Sequence, residues 1–330
     1  YRGPIDLLIV LADDDEQRLA DAATALAAEL EPFAEIVNVE HGKALRSQNA
    51  DGFEHFGFID GRSQPIFAQE HLVDDGPHTA WDPFEPLGLV LVRDKGVPDD
   101  EEALGSFFVF RKLEQNVRGF IERERELVAE LQLPSGDRER VGAMLLGRFR
   151  DGTPLVNHSS GGQAPNDNDF AFDNANTHRC PFHAHVRKAN PRGDVTVRSG
   201  QEGREMERDR RIVRRGIPYG AAATRPNASV ESVATLPSDG VGLLFGCFQA
   251  HIARQFGHIQ KLWFNNPGFP VDGAGVDGLM AAQPSPTPLN WLRKWGESPT
   301  HSSPFGEFVK LKGGEFFFAP SIPFVRGLRR

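Results

Sequence analysis

One carboxylate in this chain is enclosed by two glycines within an apolar, aromatic run, His55-Phe56-Gly57-Phe58-Ile59-Asp60-Gly61-Arg62-Ser63-Gln64-Pro65. Asp-Gly is a strong turn signal, and an aspartate there bonds readily to nearby backbone, so Asp60 reads first as a turn cap. The other reading is chemical. Glycine permits close backbone approach, and a carboxylate held over a bound group can move a proton. A second set is Cys180-Pro181-Phe182-His183-Ala184-His185-Val186-Arg187-Lys188, followed by Asn190-Pro191-Arg192. Histidines at i and i+2 share a face on a strand, where a third ligand would complete a metal site, but not on a helix.

No His-Glu-x-x-His or comparable third ligand lies at an expected spacing, so zinc is the thinner reading, and His185 could equally be a satisfied core histidine. The basic flank of Arg187, Lys188 and Arg192 in a net acidic chain suits instead an anionic cofactor. A porphyrin with two propionates is one, and its iron takes a neutral imidazole nitrogen. The absence of Cys-x-x-Cys-His excludes covalent c-type attachment. Further on, Arg214 and Arg215 precede a Gly-x-Pro turn. Either could be plain surface charge. A guanidinium brought to Asp60 by the fold could instead hold a peroxide anion and stabilise charge as an oxygen–oxygen bond breaks.

Elements must carry these residues. The chain has 330 residues and a formal charge of -9, enough for one large core or two ordinary ones and poorly suited to a broad nucleic-acid surface. No apolar run is long enough to cross a bilayer. Cys180 and Cys247, the two cysteines, allow a single disulfide but no disulfide framework and no four-cysteine zinc site. Phe outnumbers Tyr by 25 to 2, which suits a dry aromatic cavity or an ordinary core. Strands are predicted over 5–11 and 35–40 around an amphipathic helix over 15–31 with acidic caps, which places Asp60 on an exit loop. After a Pro- and Gly-rich connector at 74–100 come a strand over 105–113, a charged helix over 120–133 and another helix over 138–148. The Arg and Glu of the first of these helices are expected to face solvent. A long structured loop over 151–180 then precedes the histidines; beyond them lie a strand over 241–248, a helix over about 251–263 and a strand over 315–319. The pattern is α+β, helices covering antiparallel sheet.

Taken together, the segments resemble the dye-decolourising peroxidases, b-type haem peroxidases. The resemblance rests on Gly57-Phe58-Ile59-Asp60-Gly61, on His185-Val186-Arg187-Lys188 with Asn190-Pro191-Arg192, and on Arg214-x-Gly216-x-Pro218-Tyr219-Gly220. Asp167-Asn168-Asp169-Phe170, the strand and helix over 242–262, and 313–321 add to it, in the family order across nearly the whole chain. It implies two ferredoxin-like domains with facing antiparallel sheets, the first within 1–100 and the haem-binding second within 101–330. Members of the longer class carry a substantial N-terminal segment with the opening strands. The chain starts directly at Tyr1, so the first domain is expected to be incomplete, its missing part cleaved, truncated or a separate fragment, with a sheet edge exposed.

By that resemblance His185 is the proximal ligand of a non-covalent haem b iron, with His183 as second choice. Asp60 is the distal acid–base residue and Arg214 the distal arginine, ahead of Arg215. Leu243 and Phe245 form the apolar distal wall, Arg187 meets a propionate, and Tyr219 relays electrons from the surface, ahead of Trp263, Trp291 and Trp295. The implied reaction is reduction of hydrogen peroxide and one-electron oxidation of dyes or phenolic and aromatic donors. Two other functions stand beside it: a haem-binding or haem-trafficking protein without significant turnover, and a haem-free structural module. No nucleic-acid partner is expected and a homo-oligomer is left open. The compartment is not fixed, with cytoplasm slightly favoured over secretion.

Overall fold

A computed structural model describes all residues except 1–2, 48, 75–77, 173–176, 196–202, 204, 222–232, 283–286 and 329–330. The molecule is organised on one antiparallel sheet. Its strands are β3 (Val92–Arg93), β4 (Leu104–Gln115), β5 (Val213–Arg214), β6 (Ile217–Tyr219), β7 (Gly242–Gln249) and β10 (Val309–Ala319). The path runs β10-β4-β7-β5, with β3 added to β4 and β6 to β7. Two small hairpins stand apart, β1 (Leu45–Arg46) with β2 (Gly52–Phe53), and β8 (Pro288–Trp291) with β9 (His301–Pro304). The β4–β7 register sets Leu113 opposite Leu243 and Arg111 opposite Phe245.

Two helices bury their apolar stripe in the main core. α3 (Val117–Leu131) starts at Asn116, whose side chain accepts from the Gly119 N–H, and buries Val117, Phe120, Ile121, Leu127 and Leu131. Phe120 is the hub of the main core, stacked on Phe56 at 4.1 Å and edge-on to Phe58, Phe305 and Phe308. α4 (Arg140–Leu146) lies beside it with Val141, Ala143, Met144 and Leu145 fully buried. One expectation fails on α3: Glu124 does not face solvent. It is buried in an ion pair with Arg150 at 2.6 Å, because a carboxylate entering the core needs a cation there.

The first region departs further from expectation. α1 (Glu16–Leu30) forms as predicted, capped by Asp15 accepting from the Gln17 and Arg18 N–H groups, yet it buries no residue. The segments 5–11 and 35–40 are not strands. Leu7, Val10, Phe33, Val37 and Val39 are exposed, and no described strand pairs with these segments. A strand exists through its ladder, and β propensity alone does not make one. In the second region β10 is longer than the predicted 315–319, and the helix expected over 251–263 is a single turn at Phe256–His258 running into a π-helix, Ile259–Phe264. Cys180 and Cys247 are both free and buried, so the allowed disulfide is not formed.

Candidate active site

The Asp60 loop is fixed before it reaches the site. Gly57 and Gly61 adopt φ of 93° and 85°, left-handed conformations that a side chain would strain, so the carboxylate sits between two enforced bends. Phe56 and Phe58 point their rings into the Phe120 core, and Arg150 donates to the Phe56 carbonyl at 3.0 Å while its own carbonyl accepts from the Ile59 N–H at 3.0 Å. Asp60 Oδ1 accepts from the Gly61 N–H at 2.7 Å and from Arg214 Nη1 at 2.9 Å. The carboxylate therefore caps the turn, as the first reading expects, and it also meets a cation 154 positions away. Oδ2 accepts from no group among the described residues.

Arg214 arrives on β5, held through its backbone. The Gln64 side chain accepts from its N–H and donates to its carbonyl, and Arg214 Nη2 donates to the Arg62 carbonyl at 2.7 Å. Arg215 is exposed and turns away. The Asp60–Arg214 pair is about one-third exposed on each side. That leaves it open to the cavity.

His185, which borders the same cavity, is the first residue of a short helix, α5 (His185–Ala189). Its Nδ1 lies 2.8 Å from Asp277 Oδ2, a carboxylate with no exposed surface whose other oxygen accepts from the Leu279 and Met280 N–H groups. A carboxylate acceptor puts the ring proton on Nδ1 and leaves the Nε2 lone pair free. Nothing in the sequence marked Asp277; its meaning depends on a contact 92 positions away.

Between these walls lies a cavity of about 260 Å³ bordered by Asp60, Arg214, Leu243, Phe245 and His185. Five arginines border it, Arg62, Arg111, Arg148, Arg211 and Arg214, with two acidic residues, Glu54 and Asp60. Arg62, Arg211 and Arg214 are paired with Asp51, Glu85 and Asp60, which leaves Arg111 and Arg148 without a carboxylate partner among the described residues, in a chain of net charge -9. Arg148 is the more completely buried of these two. It is buried, bonded to Ser63, Asn168 and backbone carbonyls without a carboxylate partner among the described residues, and burial together with the nearby cations pushes its pKa down to about 10.

Several other candidates fall elsewhere. Arg187 does not border the cavity: it is buried in a two-pronged ion pair with Asp194 at 2.6 and 2.7 Å, between the Phe172 and Phe182 rings. Its charge was legible in the sequence; the partner seven positions on, which takes that charge, was not. His183 packs edge-on to Trp291 and is fully enclosed, and burial first, then Lys188, lowers its pKa to about 3. With α5 starting at His185, the two histidines are not strand neighbours, and no metal-ligating trio exists among the described residues. Tyr219 is not at the surface: it is 8% exposed, its ring beneath Lys112 at 4.9 Å. Trp263 and Trp291 are core side chains, and Trp295 anchors to the Leu155 carbonyl at 2.8 Å.

No protein-family model matches the chain. It is 42% identical over 341 aligned positions to the multifunctional dye peroxidase DyP2 of Amycolatopsis sp. (strain ATCC 39116 / 75iv2), covering 99% of this chain and 72% of that protein. It is 32% identical to the dye-decolorizing peroxidase msp1 of Mycetinis scorodonius, covering 85% of this chain and 58% of that one. Among solved structures it superposes on DyP2 from Amycolatopsis with a TM-score of 0.84, over 93% of this chain and 69% of that chain. On the Anabaena sp. DyP-type peroxidase the TM-score is 0.85 at 37% identity, over 96% of this chain and 66% of that one. With that identity spread over almost its entire length, and with the α+β antiparallel architecture shared, this chain belongs to the dye-decolourising peroxidases.

Proposed function

We propose that the chain holds haem b non-covalently in the cavity between His185 and Asp60, reduces hydrogen peroxide there, and oxidises dyes or phenolic and aromatic donors in one-electron steps. The observation that carries this reading is the cavity itself. His185, with Nδ1 held by Asp277, and the Asp60–Arg214 pair both border it, and Arg111 and Arg148, which have no carboxylate partner among the described residues, stand among its aliphatic and aromatic walls. Such a lining fits a flat apolar group with two carboxylates. Residues 1–100 would supply the Asp60 loop and 101–330 the remainder.

Bound haem would supply the redox centre, taking up the two oxidising equivalents of peroxide and passing them on singly. His185 would ligate the iron through Nε2, and Asp277, hydrogen-bonded to Nδ1, would fix the ring and make it more basic. Arg148 replaces Arg187 as the residue nominated to meet a propionate, because its charge borders the cavity and is not neutralised by a side chain. Asp60 would take the proton from bound peroxide and return it to the leaving oxygen. Arg214 would stabilise the negative charge that develops on the separating oxygen, while Leu243 and Phe245 keep water from competing. An electron relay through Tyr219 would end under the Lys112–Glu40 ion pair rather than at solvent.

The test is spectroscopic and then catalytic. Haem titrated into the purified protein should give a saturable Soret band, and peroxide should then drive oxidation of an anthraquinone dye, with Asp60→Asn far slower. Absence of a Soret band leaves the haem-free module as the answer. A Soret band without peroxide-driven dye oxidation leaves a haem carrier.

A further inference from the structure

A second carboxylate, Glu54, borders the cavity six residues before Asp60. Glu54 Oε2 accepts from the Phe56 N–H at 2.9 Å and from Gln115 Nε2 at 2.6 Å, and Oε1 accepts from the Phe58 N–H at 3.0 Å. Its backbone closes the same turn, the Glu54 N–H donating to the Phe58 carbonyl and the Glu54 carbonyl accepting from the Gly57 N–H. Burial raises its pKa, and the Asp60 charge adds in the same direction. A cavity-facing carboxylate occupied on both oxygens by its own loop and by a strand is a tie.

The strand it ties to matters. Gln115 ends β4, and β4 flanks β7, the strand that carries Leu243 and Phe245. Arg214 lies on β5, which pairs with β7 on its other edge, opposite Cys247. The two members of the Asp60–Arg214 pair are thus referenced to the same central strand from its two sides, one by a ladder and the other by Glu54. Phe56, Phe58 and Arg150 anchor the loop to the core, His55 Nε2 lies 2.8 Å from the Tyr219 carbonyl on β6, Gln64 holds the Arg214 backbone on β5, and Glu54 adds the link to β4.

We propose that Glu54 is a positioning residue for Asp60, locking the 54–60 turn to β4 so that the carboxylate is held where it meets Arg214 and the bound peroxide. This rests on the acid–base reading of Asp60 given above. A carboxylate is required, since three N–H groups converge on its two oxygens and a glutamine at this position would turn a donor toward one of them. Misplacing a reacting group by an ångström can cost about 100-fold in rate.

The experiment compares the haem-loaded wild type with Glu54→Gln, Asp60→Asn and the double variant. It measures the rate of the peroxide-driven Soret change and the rate of cyanide binding. Hydrogen cyanide arrives protonated and binds iron as the anion, its proton passing to the distal carboxylate, so its rate reports proton transfer without turnover. Nitric oxide, which binds without proton transfer, is the control. Glu54→Gln should keep the Soret band and the nitric oxide rate, slow the peroxide and cyanide reactions about 10- to 100-fold, and add nothing to Asp60→Asn in the double variant.

Wild-type peroxide and cyanide rates in Glu54→Gln, with Asp60→Asn slow, overturn the positioning role alone. A double variant slower than Asp60→Asn by the full Glu54→Gln factor overturns it as well, because Glu54 then acts independently of Asp60. Wild-type rates in Asp60→Asn overturn the acid–base reading and the positioning role together. Should Glu54→Gln not accumulate folded, Gln115→Leu releases only the β4 end of the tie. It should slow both reactions in the same sense by a smaller factor, and unchanged rates there overturn the proposal.

Discussion

The two walls of the cavity are built on opposite principles. On the proximal wall His185 begins a helix and is backed by Asp277, a carboxylate with no exposed surface that three hydrogen bonds hold still. On the distal wall Asp60 and Arg214 come from a loop and a short strand and remain about one-third exposed. As the proposed ligand, His185 would have to stay where it is, and the buried, fully bonded Asp277 would enforce that. As the proposed proton carrier, Asp60 would have to exchange with bound reactant and solvent, and partial exposure with one unbonded oxygen would allow it. The positional precision that the distal wall gives up in burial it recovers by attachment, through Phe56 and Phe58 in the core, Arg150 on the loop backbone and Glu54 on β4.

The contrast can be tested by removing each part in turn. The largest effect should come from His185→Ala, which is expected to lose or loosen the haem; an unchanged iron spectrum would remove it as the ligand. His183→Phe, two positions away but sealed against Trp291, should keep that spectrum. Asp60→Asn should retain haem and its ligation while slowing the peroxide reaction by roughly 10²–10⁴-fold, measured by stopped-flow. Arg214→Leu should slow the same step by about 10²–10³-fold with the Soret band retained, and an equal loss of haem would place Arg214 in binding instead.

Asp277→Asn belongs to the other wall and should act differently, weakening haem retention by about 10- to 100-fold and raising the iron potential through a less basic imidazole. A normal potential in that variant would show that the walls are not distinct in this way. Smallest on the chemistry is Arg187→Met. It should leave the peroxide step unchanged while lowering stability by about 3–5 kcal/mol, because Asp194 loses its buried partner; the melting temperature reads the second effect and a slowed peroxide step would restore Arg187 to the site.

Much of this was legible from residues close in the chain. The enforced bends at Gly57 and Gly61, the cap of α1, the stripe of α3 and the apolar run of β7 are local consequences of spacing and side-chain type. Where local pattern failed, a distant partner was the cause. Segments 5–11 and 35–40 have strand composition without a strand paired to them, and Glu124 has the pattern of a solvated charge but lies beside Arg150. Arg187 looked available for an anion because Asp194 resembled any other loop aspartate.

By itself, the sequence determined which residues could carry the chemistry: a carboxylate between two glycines, a histidine beside basic residues, an arginine before a proline turn. Their types and short-range spacing set what each can do. The tertiary structure alone decided which of them act together, because charge pairing depends on a few ångströms and those are set by sheet register and packing. Thus Arg214 meets Asp60, Arg187 is spent on Asp194, Arg148 borders the cavity, and Asp277, unremarkable in the sequence, stands behind His185.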